Sequence, residues 1–233
     1  MSGPILLSLK VALIAVAIDA VLATLLARLL ARREFPGKNL VESFIILPMV
    51  LPPTVLGFGL LILLGKRGLV GRFLLENFDL QIVFTWWAAI FAAAVVSFPL
   101  MYQSAKAAFA SVDVALEQAA RTLGSSESRV FLRITLPLAY PGLIAGLVLA
   151  FARALGEFGA TLMVAGNIPG KTQTIPLAIY FAVETGENTL AWNLVLVITG
   201  LSITALFWLN LWARKKHQVW QKGDTASAER LHP

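Results

Sequence analysis

The chain has 233 residues, 58% of them hydrophobic and only 14% charged, with a formal net charge of +6 and no cysteine. Soluble domains carry about 45–50% apolar residues, so this composition excludes an ordinary globular protein and implies one that sits in a membrane. The missing cysteines exclude a disulfide framework, a thiolate nucleophile and a thiolate zinc site, and the two histidines, His217 and His232, both lie in the polar C-terminal tail.

In chain order, the first apolar stretch runs from Ile5 to Arg28. It lacks the basic start and small-residue cleavage site of a signal peptide, so it reads as an uncleaved membrane helix. Asp19 sits near its middle, where an acid is costly against lipid, and is expected to face other helices as a buried hydrogen-bonding group or a group on a path. A basic loop with Arg28, Arg32, Arg33 and Lys38 comes next and turns at Pro36-Gly37. The second stretch, Val41 to Leu64, contains LPMVLPPTVLGFG. Pro48, Pro52 and Pro53 each remove a backbone donor, so this helix is expected to be kinked or broken. Broken backbone at membrane depth needs protein or a water-filled cavity beside it, which makes these prolines candidates for lining a path.

A short loop, Gly65 to Gln81, carries an amphipathic piece from Leu69 to Phe78. The third stretch, Ile82 to Tyr102, opens near Trp86 and Trp87, as aromatic residues do at an interface. Next comes a polar interval, 113–137. Leu116, Ala119, Ala120 and Leu123 recur there at helical spacing, and Glu117 precedes Arg121 by four in the favourable acid-first order. Gly124 is placed as a C-cap needing positive φ, with Ser125 as cap of a second short helix. That helix has Val130, Phe131 and Ile134 on one side and Arg129 and Arg133 on the other, and Pro137 is suited to open the next segment. Two short amphipathic helices meeting at a glycine turn between spans make a knob suited to a partner.

The fourth stretch, Tyr140 to Val164, holds the pair Arg153 and Glu157, four apart. They brace helices against each other or line a path; both readings stand. From 165 to 189 the chain is polar around Ile175 to Val183, too short to cross a ~30 Å hydrocarbon core. The fifth stretch is Leu190 to Trp212, and residues 217–233 are expected to form a disordered tail. The expected fold is thus all-α: a polytopic membrane protein of about five transmembrane helices, in one domain, 1–216, with a two-helix loop on one side.

Lysine and arginine set the orientation. Arg28, Arg32, Arg33, Lys38, Lys106, Arg121, Arg129, Arg133, Arg214, Lys215, Lys216, Lys222 and Arg230 fall on one side of five spans; only Lys10, Lys66, Arg67, Arg72 and Lys171 fall on the other. The positive-inside bias puts the knob and the C-terminus in the cytoplasm and the N-terminus outside. Because these basic residues flank spans, they imply lipid headgroups as partners rather than nucleic acid.

Glu117, Ala119, Ala120, Gly124, Ile134, Leu136 and Pro137 spell E-x-A-A-x3-G-x9-I-x-L-P, which resembles the EAA loop of permease subunits of bacterial and archaeal ABC importers. The runs LPMVLPPTVLGFGLL (47–61) and ARALGEFGATLMVAGNIPGKTQTIPLAIY (152–180) look like the molybdate-type oxyanion permeases of that group. Sulfate permeases share GEFG and AGNIP, so sulfate or tungstate stands as the alternative cargo within the group. The resemblance implies a homodimer around a central path and an oxyanion-binding protein outside. It also implies two cytoplasmic ATPase subunits that dock on the knobs, with Arg121 beside the motif. ATP would be bound by those subunits, and this chain would hold neither cofactor nor metal. AGNIPGKT (165–172) comes within one residue of a phosphate loop, but a membrane span precedes it and no helix opens at Lys171-Thr172, so nucleotide binding there is rejected. A membrane-embedded hydrolase and a non-transporting scaffold are the other classes. Ser97, Ser104 and Ser202 have no visible base for the first, and the broken second span and intramembrane charges speak against the second.

Overall fold

The computed structural model describes residues 2–229, and among these there is no strand. Helix α1 (Ser2–Ala31) is followed by α2 (Lys38–Val50), α3 (Pro53–Leu64), α4 (Leu69–Phe78) and α5 (Trp86–Ala110). The knob comprises α6 (Val114–Thr122) and α7 (Glu127–Val130). A π-helical turn (Phe131–Thr135) joins α7 to α8 (Leu136–Leu155), and α9 (Gly159–Ala165), α10 (Ile175–Glu184) and α11 (Asn188–Glu229) complete the chain.

Five stretches are long and apolar enough to cross a membrane: Ser2–Ala31, Pro53–Phe78, Trp86–Ala110, Glu127–Leu155 and Asn188–Trp208. The number agrees with hydropathy, but two boundaries move. Pro48 sits inside a continuous α2, and the second span breaks only at Leu51-Pro52, where Leu51 turns extended (ψ 142°) and Pro53 opens α3. The next apolar run therefore takes in α3 and α4. The fourth span begins in the knob, because Glu127–Leu155 is helical throughout and Pro137 sits at the start of α8 rather than at a chain reversal. It ends at Leu155, well short of Val164.

The core is α5, whose alanine-rich face (Ala88, Ala89, Ala92, Ala93, Ala105) is buried under α1 and α8. Small residues let helix backbones approach closely where lipid supplies no hydrophobic drive for association. At mid-length, Ser97 of α5 donates to Asp19 Oδ2 of α1 at 2.6 Å, and Asp19 is 1% exposed. Asp19 thus packs between helices, away from lipid. Helix α10 is ten residues long, about 15 Å, and lies against α11 and α1 with Ile175, Leu177, Ala178 and Ala182 buried. Helix α11 continues to Glu229, through most of the stretch that composition reads as a disordered tail. That stretch has no interior proline, and a helix once nucleated extends at little cost. Residues 230–233 lie outside the described ones.

Candidate functional site: the knob and the paired helix breaks

The knob's first helix opens on Asp113, whose carboxylate accepts the Ala115 N–H at 2.8 Å. It closes on Gly124 at φ 80°, where the Ser125 N–H reaches the Ala120 carbonyl at 3.0 Å and the Gly124 N–H reaches that of Arg121 at 2.9 Å. This is a Schellman closure, and its left-handed residue is one that glycine adopts without a Cβ clash. Ser125 is consumed by that turn, so Ser126 occupies the N-cap of α7, without a side-chain capping bond.

Burial in the knob inverts the usual pattern. Leu116 is 49% exposed and Leu123 86%, whereas Glu117 is only 3% exposed. Ala119 is exposed, and Ala120 and Ile134 are half-buried. The charged member of the motif points inward and the leucines point out. Glu117 Oε2 pairs with Arg32 at the end of α1, and Glu117 Oε1 accepts from Thr135 at 2.6 Å. Arg121 stands 3.5 Å from Glu117, its helical neighbour, but bonds chiefly to Glu127 at 2.6 and 3.1 Å. The hydrogen-bonded Glu127 carboxylate raises the Arg121 guanidinium above its ordinary value, so the charge on this arm of the knob is firmly held. Arg28 stacks on the Phe131 ring, 3.4 Å from its centroid. Leu136 is half-buried and Pro137 exposed where the knob passes into α8. Sequence reasoning missed Arg28, Arg32, Thr135 and Glu127 as members of this group. The four-residue spacing of Arg28 and Arg32 marks one helical face, but a partner 85 positions away leaves no local signal.

The second region forms where two spans break side by side. Helix α8 ends at Gly156 and α9 starts after Phe158, with Glu157 Oε1 accepting the Ala160 N–H at 2.8 Å. Glu157 is thus the cap of a half-helix. Its other oxygen accepts from Arg153 at 2.9 Å, so the pair bridges the break. Helix α3, entering from the Pro52-Pro53 break, packs on α9, and Gly159 lies against Pro53. The structure therefore brings Pro52, Pro53, Arg153 and Glu157 into one region, with Pro48 a turn earlier on α2. Pro52, Pro53 and Thr54 are exposed, and the Arg153 side chain is 34% exposed while that of Glu157 is 2%. An arginine so placed in a span is expensive against lipid and reads as facing water or protein.

The phosphate-loop look-alike is a compact turn after a helix. Thr172 is fully buried, donating to the Gly166 carbonyl and accepting the Ile168 N–H, both at 3.0 Å. Its hydroxyl is engaged in holding its own loop.

Span-forming helices around a small-residue core, with two helix breaks at a common place and a knob showing leucines outward, define a multi-pass integral membrane protein. The chain belongs to the family of binding-protein-dependent transport system inner membrane components, whose model matches residues 4–218. It is 48% identical over 216 residues to the molybdenum transport system permease protein ModB of Escherichia coli (strain K12), covering 91% of this chain and 94% of that one. To the sulfate transport system permease protein CysW of Synechococcus elongatus it is 37% identical over 200 residues, 86% and 70% of the two chains. Among solved structures it superposes on the MetNI methionine ABC transporter in an inward-facing conformation with a TM-score of 0.67 at 16% identity, covering 91% of this chain and 94% of that one. That likeness shows a shared fold.

Proposed function

We propose that this chain is the permease subunit of an ATP-driven importer of molybdate. The observation that carries the reading is the 48% identity to a molybdenum permease across nearly the whole of both chains. Two copies form the translocation path. The exposed apolar faces of α2 and α3, among them Phe44, Val50, Phe58 and Ile62, support a second copy and lipid as their cover. ATP is bound and hydrolysed by two separate cytoplasmic subunits that receive the knobs, with Leu116 and Leu123 as the apolar contacts. A soluble binding protein delivers the anion from outside. The permease itself carries out no covalent chemistry.

Closure of the ATPase pair on ATP draws the knobs together. Because the knob runs without interruption into α8, its displacement turns that span directly. Pro52 and Gly156–Phe158 are the points at which the outer half-helices α3 and α9 can move against the inner halves. The result is a two-state element biased by nucleotide on one side and the loaded binding protein on the other. A divalent anion needs water or polar groups along its way, since a bare ion in an apolar layer costs many kcal/mol. The backbone freed at the breaks and the Arg153 guanidinium are the groups on hand.

The test is uptake of labelled molybdate into vesicles holding this chain, its ATPase and its binding protein, with excess sulfate as competitor. Accumulation that resists sulfate supports the reading. Uptake of sulfate with indifference to molybdate moves the protein to the sulfate branch, and uptake of neither ion overturns the oxyanion assignment.

A further inference from the structure

The knob is covalently joined to α5 and to α8, and Thr135, in the turn leading into α8, donates to its buried glutamate, but the cation paired with that glutamate comes from neither helix. The group that grips Glu117 is Arg32, at the end of α1, a helix separated from α5 in sequence by three others. Arg32 forks: one terminal nitrogen pairs with Glu117, while the other donates to the Val112 carbonyl at 3.0 Å and approaches that of Phe109 at 3.5 Å. One turn earlier on the same face, Arg28 lies on Phe131 of the π turn. The end of α1 therefore seizes the knob on both sides of its glycine turn. A planar fork bonded to carboxylate and carbonyl together fixes direction as well as distance, which a lysine cannot do.

Helix α1 is anchored at its other end too. Ser8 Oγ accepts the Ile175 N–H at 2.7 Å, capping the first turn of α10 from across 167 residues of sequence, and Ser8 is 3% exposed. The stretch from Ser8 to Arg32 spans about 36 Å of helix, and midway Asp19 is bonded to Ser97 of α5. Unlike the α2–α3 and α8–α9 stretches, α1 runs from Ser2 to Ala31 without a break. It grips the knob at one end and meets the α10 segment at the other.

We propose that α1 is the strut that couples the knob to the α10 segment across the membrane, with Arg32 and Ser8 as its end-fixing, positioning residues. The inference rests on the transport reading above. A displacement of the 166–184 segment by the loaded binding protein is passed along α1 to Glu117, and a displacement of the knob returns the same way. Breaking either end leaves both segments folded but lets each move without the other.

The experiment uses the whole reconstituted complex. It measures ATP hydrolysis with and without loaded binding protein, and anion accumulated per ATP hydrolysed. In wild type, hydrolysis that ignores the binding protein defeats the transport reading before the strut is at issue. Given stimulation, Arg32→Gln and Ser8→Ala should each lower the stimulation factor and the anion-per-ATP ratio roughly fivefold to tenfold, the lower part of the usual range for coupling between sites. Ser8→Ala should leave assembly and unstimulated hydrolysis intact. The double variant should fare no worse than the poorer single one, as two ends of one link require. Wild-type stimulation and ratio in either variant overturn the strut. Should Arg32→Gln fail to assemble, Ser8→Ala decides alone by the same readout, because it lies far from the knob.

Discussion

Gly57 of α3 lies so close to Ala160 of α9 that a Cβ on the glycine would stand 2.8 Å from the Ala160 Cα and 2.7 Å from the Met163 Cβ. The two half-helices beyond the breaks thus meet backbone to backbone. Gly57→Leu should force them apart, costing about 1–3 kcal/mol of overpacking and lowering the melting temperature of the detergent-solubilised protein. Uptake should fall further than stability does. Gly59 has open space around it, so Gly59→Ala serves as the control and should be silent in both assays. Equal effects of the two variants would show that the α3–α9 contact is not special.

At Gly124 the requirement is conformational. Its φ of 80° falls where a β-branched residue is strained, by about 1–3 kcal/mol. Gly124→Val should insert normally, since no span is touched, but should weaken ATPase association or uptake. Unchanged pull-down of the ATPase together with unchanged uptake would make the glycine incidental.

Much of this was legible in the residues. Periodicity and hydropathy place the spans, the Leu69–Phe78 helix and the knob. Proline chemistry places the break at Pro52, though Pro48, with the same chemistry, sits in continuous helix. The break after α8 contains no proline. Gly156 and Gly159 flank it, and a Glu that reads as half of an ion pair proves to be a helix cap as well, which only the position of the Ala160 N–H reveals. Likewise the Glu117–Arg121 spacing suggests a local pair, but Arg32 competes for Glu117 and Glu127 for Arg121. Positive-inside counting treats Arg28 and Arg32 as mere flanking charge. Their role depends on tertiary contact, which no window of sequence contains.

Orientation rests on that same basic asymmetry and can be checked directly, because a chain without cysteine gives no background labelling. Cysteine in place of Ser126, exposed in the knob, should react with an impermeant thiol reagent only when the cytoplasmic face is opened. Cysteine in place of Lys171, exposed in the opposite loop, should react from outside. The reverse pattern would invert the protein and remove the ATPase from the knob.

Asp19 poses a question of proton count. The Ser97 hydroxyl has one proton but lies 2.6 Å from Asp19 Oδ2 and 2.8 Å from the Ala93 carbonyl. A group at position 19 that donates to Ser97 would let Ser97 donate to Ala93, giving each of the two contacts its own proton. Asparagine can do this. Asp19→Asn should therefore retain expression, stability and uptake, whereas Asp19→Leu should lose about 1–3 kcal/mol by leaving the α1–α5 contact without its partner. If Asp19→Asn abolishes uptake in a stably folded protein, the carboxyl has a role on the transport path and the purely structural reading fails.

Arg153 separates bracing from contact with the anion. Its bond to Glu157 braces the break, but Glu157 keeps its second oxygen on Ala160, and the Arg153 side chain remains 34% exposed, bonded to Glu157 through one terminal nitrogen. If bracing were all, Arg153→Gln and Glu157→Gln should be equally harmful, since each removes one half of the bridge. If the guanidinium also meets the passing anion, Arg153→Gln should cut anion accumulated per ATP by about tenfold, equivalent to a barrier on the path raised by ~1.4 kcal/mol. Glu157→Gln should then cost less, because an amide oxygen still accepts the Ala160 N–H and Arg153 is freed toward the path. Arg153→Lys should fall between them, keeping the charge but not the planar fork. The measurement is labelled molybdate uptake against hydrolysis in the same vesicles. Equal losses in Arg153→Gln and Glu157→Gln would confine the arginine to holding the break in shape.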